Sequence, residues 1–409
     1  MAASSTSLTL LLLLDAFRPD YLQWTPFIRS LAGQSATGTL RECFGFLPRA
    51  AYFGGLNAEQ SGFTNMYCFD PENSIFSSAR ALGGIRVSSQ ELSEKFRCFV
   101  EEKARERLSS FAKSYATSVQ IPLDYLPYFD LVEKRAPWDK QAGFESLFAL
   151  LDKEGIAWHQ VSWPESNRLA DASDKEIIRH VLQTLKPEHR FAYVHLQELD
   201  GTGHVYGPNS TELQAKLVQT DGLCRELIES ARKKYGAVNV VLFGDHGMVN
   251  VTRTLDLTSV IAGMGLRFGS DFGYFLDSTM VRFWFYHQGA EQTVRAAFKN
   301  ISGGRLLDAA EMKHFGIAGC DRRNGELYFL ADPGALLFPN FFQGDGEPIK
   351  GMHGYDPDCA DNLGIFVLHR ASQPDLGGRN LGNVNPDQIF ELLKQLIRLH
   401  PAAVLTHRG

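Results

Sequence analysis

No two cysteines in this 409-residue chain are spaced C-x-x-C, and the six that occur, Cys43, Cys68, Cys98, Cys224, Cys320 and Cys359, are scattered along it. That argues against a cysteine-built zinc site and a disulfide framework, and predicts reduced thiols in a cytoplasmic protein. Long apolar runs are also missing. The stretch LTLLLLLDAF at 8–17 has no basic residue before it and is too short to cross a bilayer. It reads as a buried strand, not as a signal peptide or anchor. Charge of one sign is not in excess: 41 basic residues stand against 47 acidic ones, a net charge of −6. No general attraction to a nucleic acid polymer or a membrane surface is therefore expected, and any recognition of an anion has to be local. No repeat or low-complexity segment is present.

What the chain does have is an alternation of short apolar runs with helical patterns. Residues 8–14, 191–196 (FAYVHL), 238–243 (VNVVLF) and 364–368 (GIFVL) read as strands of a sheet covered on both faces. Helices are predicted at 24–32, 48–56, 173–185, 210–234 and 387–399, which makes the fold class α/β. Two stretches break the alternation. Between 64 and 140, Leu92, Phe96, Phe99, Val100, Leu108, Phe111 and Tyr115 recur at helical spacing and predict an amphipathic helix over 89–117, part of a cap. Between 262 and 345, DSTMVRFWFYH and GELYFLAD read as strands around one helix, a smaller α+β lobe. The expected division is a core of 1–63, 141–261 and 346–409, a helical cap insertion at 64–140 and the lobe at 262–345.

The residues with chemical potential stand just after the core strands, where open α/β sheets bind ligands, beyond the carboxyl ends. Asp15 comes directly after the first run. Asp200 and His204 stand in HLQELDGTGHVYGP, where the two intervening glycines argue for a loop. Asp245 and His246 come after the third run in VLFGDHGM, and His353 sits between glycines in GMHGYDPD. Three aspartates and three histidines on loops form an oxygen and nitrogen ligand set suited to two divalent ions, zinc-like or manganese-like. Arg49, one position into the helix that begins at Pro48, could reach an anion near the helix start, and Arg18 has a similar status.

Asp15 after the first strand, DGTGHVYGP, GDHGM and MHGYD occur in the same order as the metal-binding motifs of the alkaline phosphatase superfamily, and the chain resembles its type I phosphodiesterase and nucleotide pyrophosphatase branch. The resemblance implies a central, mostly parallel sheet flanked by helices. It also implies one ion held by Asp200, His204 and His353, a second held by Asp15, Asp245 and His246, and zinc as the first choice of metal with manganese as the other. Asn65, in SGFTNMY, is the best match to the asparagine that binds a phosphate oxygen in that family. The substrate class implied is a small ester of phosphate with a phosphodiester or pyrophosphate-type bond. A phosphomonoesterase and a non-catalytic phosphate-binding relative are the alternatives.

One expected residue is missing. The family's Thr or Ser nucleophile stands two residues before the helix-initiating proline. Counting back from Pro48 gives Phe46, and matching through GGLNAEQSG gives Gly45. Neither can attack phosphorus. Metal-activated water is the first reading, a Cys43 thiolate the second, and ligand binding without turnover the third; Thr39 and Thr64 are the other nearby hydroxyls. Tyr52, Tyr67, Phe69 and Tyr125 are expected to border the phosphate site.

Overall fold

A computed structural model describes residues 7–82, 90–113, 120–162, 173–344, 346–373 and 377–399. Seven strands form the central sheet: β1 (Ser7–Leu14), β2 (Ala36–Leu40), β3 (Trp158–Val161), β4 (Phe191–Leu196), β5 (Ala237–Phe243), β6 (Gly364–His369) and β7 (Asn380–Val384). Their order across the sheet is β7-β2-β6-β5-β1-β4-β3. Strand β6 runs antiparallel to both neighbours, and the other pairings are parallel.

Strand β1 is apolar throughout because both of its faces are covered. Leu8, Leu10, Leu12 and Leu14 enter one hydrophobic cluster, together with residues of α1 (Pro26–Gly33), α3 (Asp174–Thr184) and α5 (Thr211–Lys234). Leu11 and Leu13 enter another, with α2 (Arg49–Gly54) and α6 (Gln388–Ile397). The period of two in a strand sends alternate side chains to opposite helical layers. Each buried leucine contributes roughly 1.5–3 kcal/mol.

The register positions the site. Leu14 pairs with Leu196 of β4, and Leu13 with Phe243 of β5. The chain therefore leaves all three strands at one level, and Asp15 lies beside the first loop residues after both neighbours.

The four apolar runs and five helical stretches are all present. Strands β2, β3 and β7 were not anticipated: each is short, and β2 (ATGTL) and β7 (NLGNV) carry too few apolar residues to stand out. The lobe contains a four-stranded antiparallel sheet formed by Phe272–Leu276, Met280–Phe285, Gly304–Leu306 and Leu327–Ala331. It carries two helices, Gln288–Phe298 and Ala309–His314, where one was expected. The signal for the second was there, since Asp308 and Glu311 close a capping box around its start.

In the 64–140 segment the helix Gln90–Glu106 and a short helix Ser110–Lys113 are present. Val100, Leu108 and Phe111 are buried, whereas Phe99 faces solvent. Tyr115 and the Leu92 side chain lie outside the described residues. This segment and the lobe share one hydrophobic cluster. Tyr67 stacks on Phe275, Phe69 on Trp284 and Tyr125 on Phe268. A fully buried ion pair joins them: Arg282 Nε donates to Asp277 Oδ2 at 2.9 Å, and its Nη1 donates to the carbonyls of Tyr67 and Asn324.

Removing one partner of a buried pair strands the other charge. Asp277→Ala should therefore lower unfolding stability by about 3–5 kcal/mol, read as a fall in the urea midpoint, while an unchanged midpoint would show that Arg282 does not need its carboxylate.

Candidate metal centre

All six expected ligands line or adjoin one cavity of about 690 Å³ above the carboxyl end of the sheet. Asp15, Asp245 and His246 form one group with ligand atoms close enough to share an ion, and Asp200, His204 and His353 form a second. Asp15 and Asp245 stand just past β1 and β5, and Ala16 N donates to Asp245 Oδ1 at 3.4 Å. His353 comes after a two-residue strand, Gly351–Met352.

Asp200 and His204 are not in a loop. They lie four residues apart on the helix α4 (Glu198–Tyr206), on the same face. The glycines between them misled the sequence reading: Gly201 has open space around it, and Gly203 sits against a neighbouring side chain. A Cβ on Gly203 would come within 2.9 Å of Met248 Cε, so the small residue lets α4 approach its neighbours. Lys350 N then donates to the His204 carbonyl at 2.8 Å and ties the strand before His353 to this helix.

The donor set fits divalent cations. His204 Nδ1 donates to the Gly351 carbonyl at 2.8 Å and His246 Nδ1 to the Gly247 carbonyl at 2.8 Å, which leaves each Nε2 with a lone pair. His204 Nε2 faces Asp200 Oδ1 at 3.2 Å, and His246 Nε2 faces Asp15 Oδ1 at 3.2 Å. Apart from the facing His204 Nε2, Asp200 Oδ1 has no hydrogen-bond partner among the described residues, as an oxygen reserved for an ion would be. The rings of His246 and His353 stack at 3.5 Å.

Electrostatics points the same way. Burial alone would raise Asp15, but the His195 and His246 rings beside it hold it well below the usual carboxylate range. Burial and then the charge of Asp15 push Asp245 up to about 7. Three carboxylates crowded in a low-dielectric wall call for positive charge.

Two residues at this site were missed. His195, inside β4, has its Nε2 2.8 Å from Asp15 Oδ2 and orients that carboxylate. It was hidden in a run read as pure strand. Glu42, just after β2, is buried against His353. Nothing in RECFGF marks it.

Among the other expected residues, Arg49 lines the cavity but is buried, paired with Glu133 and set over the Phe111 ring at 5.4 Å. Arg18 reaches Asp20, Asp361 and the Met248 carbonyl. Asn65 is fully buried, its amide 3.6 Å from Met280 Sδ, and it is not in the cavity wall. Of the four aromatics, Tyr52 borders the cavity. Tyr67, Phe69 and Tyr125 pack against the lobe and are not in its wall, because that sheet offers them larger apolar surfaces.

The cavity wall also bears on the nucleophile position. Gly45 has φ of +95°, and a Cβ there would lie 2.4 Å from the Thr64 carbonyl oxygen. No hydroxyl-bearing residue fits. Phe46 lines the cavity instead, with its ring edge-on to His353 at 5.5 Å. Cys43 borders a different, smaller cavity, and burial pushes its thiol up to about 12. Thr39 bonds Asn383 and Thr64 bonds Asn324; neither lines the metal cavity.

The family description "Type I phosphodiesterase / nucleotide pyrophosphatase" matches residues 9–356. The chain belongs to that family. Human ectonucleotide pyrophosphatase/phosphodiesterase 5 superposes with a TM-score of 0.64 at 18% identity, covering 98% of this chain and 96% of that one. The murine protein gives 0.63 at the same identity, with 98% and 97% covered. At this identity the likeness concerns the alkaline-phosphatase-like fold. An uncharacterized pyrophosphatase/phosphodiesterase of Schizosaccharomyces pombe is 21% identical over 223 residues, covering 52% of this chain and 45% of that protein. The chain thus spans less than half the length of that relative.

Neither Gly45 nor Phe46 carries a hydroxyl, and the backbone at Gly45 has no room for one. Gly45→Ser should lower stability by about 1–3 kcal/mol, more than Gly62→Ser, whose φ of +72° is also left-handed but which has no atom within 4 Å of a Cβ. Equal urea midpoints for the two variants would show that the Thr64 carbonyl yields.

Proposed function

We propose that this protein hydrolyses a phosphodiester or pyrophosphate-type bond with two divalent ions, zinc or manganese, and with water as the attacking group. The observation that carries the reading is the convergence of both groups of possible ligands on one cavity with Phe46 in its wall. Asp200, His204 and His353 would hold one ion and Asp15, Asp245 and His246 the other. Bound there, such ions supply Lewis-acid polarisation of a phosphoryl oxygen and lower the pKa of water toward about 7.

The chain's own residues do the rest. His195 fixes the Asp15 carboxylate. Phe46 fills the place of a side-chain hydroxyl with an apolar edge, so a single displacement by water replaces the two displacements of a covalent route. Leu13, Phe46, Met66, Phe342, Ile349 and Met352 make the wall largely apolar. Arg49, the cation in the wall, is matched by Glu133. A singly charged diester therefore suits the site better than a doubly charged monoester, and an apolar or base-like substituent suits the wall. An inactive variant of the murine relative has been solved in complex with AMP, which supports a nucleotide-like ester as the small-molecule ligand.

The compartment proposed is the cytoplasm, since the six cysteines are all free thiols. Among the described residues no helix is long and apolar enough to cross a membrane.

The second reading, a phosphate-ligand binding protein without turnover, is favoured by the missing hydroxyl. With added zinc or manganese, bis(p-nitrophenyl) phosphate should be turned over faster than p-nitrophenyl phosphate, and hydrolysis at a chiral phosphorus should give inversion. Retention would contradict direct attack by water. Inactivity toward both esters with the metals bound would support the binding reading. His246→Ala and His353→Ala should each remove about one ion per chain by elemental analysis, and unchanged content would sink the ligand assignment.

A further inference from the structure

Three imidazoles meet at the cavity wall, and each has to turn an Nε2 lone pair toward the carboxylates. For His204 and His246 a backbone carbonyl does this by accepting from Nδ1. The hydrogen-bond partner of His353 Nδ1 is instead a carboxylate, Glu42 Oε1, at 3.0 Å. The two residues are 311 positions apart in sequence. Glu42 stands two residues past the end of β2, and β2 pairs with β6, so sheet formation itself delivers it beneath the metal loop.

Glu42 is 7% exposed, and each of its oxygens is engaged. Oε2 accepts from Gly354 N at 3.1 Å and from the Asn362 amide. A carboxylate buried without a lysine or arginine is costly, and a leucine or methionine would fill the same space at less cost. Packing therefore does not account for an acid here. Its ligand atoms also lie near those of His246 and His353, close enough for an ion to be shared. Since Oε2 already accepts from two donors and Oε1 lies against His353 Nδ1, orientation of the imidazole is the use the geometry favours over direct ligation.

We infer that Glu42 is a positioning residue that holds His353 in its Nδ1–H tautomer, aims Nε2 at the ion held with Asp200 and His204, and raises the basicity of that ligand. The inference rests on the metal-centre reading for its consequence and on the Glu42–His353 contact for its existence. A carboxylate behind a metal-binding histidine usually sets 10–100-fold in metal affinity. Histidines held by carbonyls lack that charge, so in this centre the His353 side is the one whose strength depends on a distant acid.

Glu42→Gln separates the possibilities because it keeps size and shape but cannot accept from three donors. If its amide nitrogen faces His353, Nδ1 has to become the acceptor and the proton moves to Nε2, where it blocks ligation. The test has two readouts on the full chain. The first is the tautomer of His353 in metal-free protein, from long-range proton–nitrogen NMR of histidine-labelled samples, with the resonance assigned by its loss in His353→Ala. The second is zinc affinity from chelator competition.

The wild type should show Nδ1–H, and Glu42→Gln should show Nε2–H together with a 10–100-fold weaker affinity for one ion, the other ion being held as before. A tautomer switch without zinc binding in either protein would uphold the Glu42 role and overturn the metal-centre reading. An Nε2–H tautomer in the wild type, or no change of tautomer in Glu42→Gln, would overturn the inference and leave the metal-centre reading standing. Weaker zinc binding with the tautomer unchanged would also overturn it, because Glu42 would then be a ligand.

Discussion

Three aspartates held within reach of one another in one cavity wall impose the constraint that the rest of this protein satisfies. Asp15 and Asp245 are brought together because β1 and β5 are parallel, in register and end at the same level. Asp200 is added by a helix that starts just after the strand on the other side of β1. Left alone, such a cluster repels itself, and the rise of Asp245 to about 7 under burial and the charge of Asp15 expresses that strain. The histidines answer it in layers. Three face the carboxylates with Nε2, two of them tied behind by carbonyls and one by Glu42, while His195 steadies Asp15 from the side. The six side chains are drawn together without a nucleophile among them, so this arrangement does not depend on a side chain that attacks.

Much of this was legible in the sequence, for a physical reason. Strands covered on both faces must be continuously apolar, so FAYVHL and VNVVLF announce themselves, and the polar residues that end them mark the carboxyl edge where ligands bind. What was not legible is what tertiary contact decides. Strand β2, with three of its five residues half-exposed, is held by β6 and β7 on either side. The helix carrying Asp200 and His204 contains two glycines, and Met248 against Gly203 and Lys350 on the His204 carbonyl hold it in place. Glu42 and His195 matter only through partners far away in sequence, and neither stands in a motif.

The segment after α2 illustrates a different limit. Aromatic residues that looked like a substrate wall turned out to face the 262–345 segment, where Phe275, Trp284 and Phe268 offer ring partners. The sequence placed aromatic residues in this segment but could not say which side of it meets the cavity. Phe46 shows the converse. Read as an absent hydroxyl, it is in the structure a wall element set edge-on against His353, with the left-handed Gly45 beside it.

The central claim is that these six ligands form a two-ion centre. Its most direct test is anomalous diffraction at the zinc edge from crystals of the full chain grown with zinc. The account predicts two anomalous peaks in the cavity wall, one among Asp200, His204 and His353 and one among Asp15, Asp245 and His246. Zinc peaks confined to other parts of the surface, with these six side chains unligated, would contradict it.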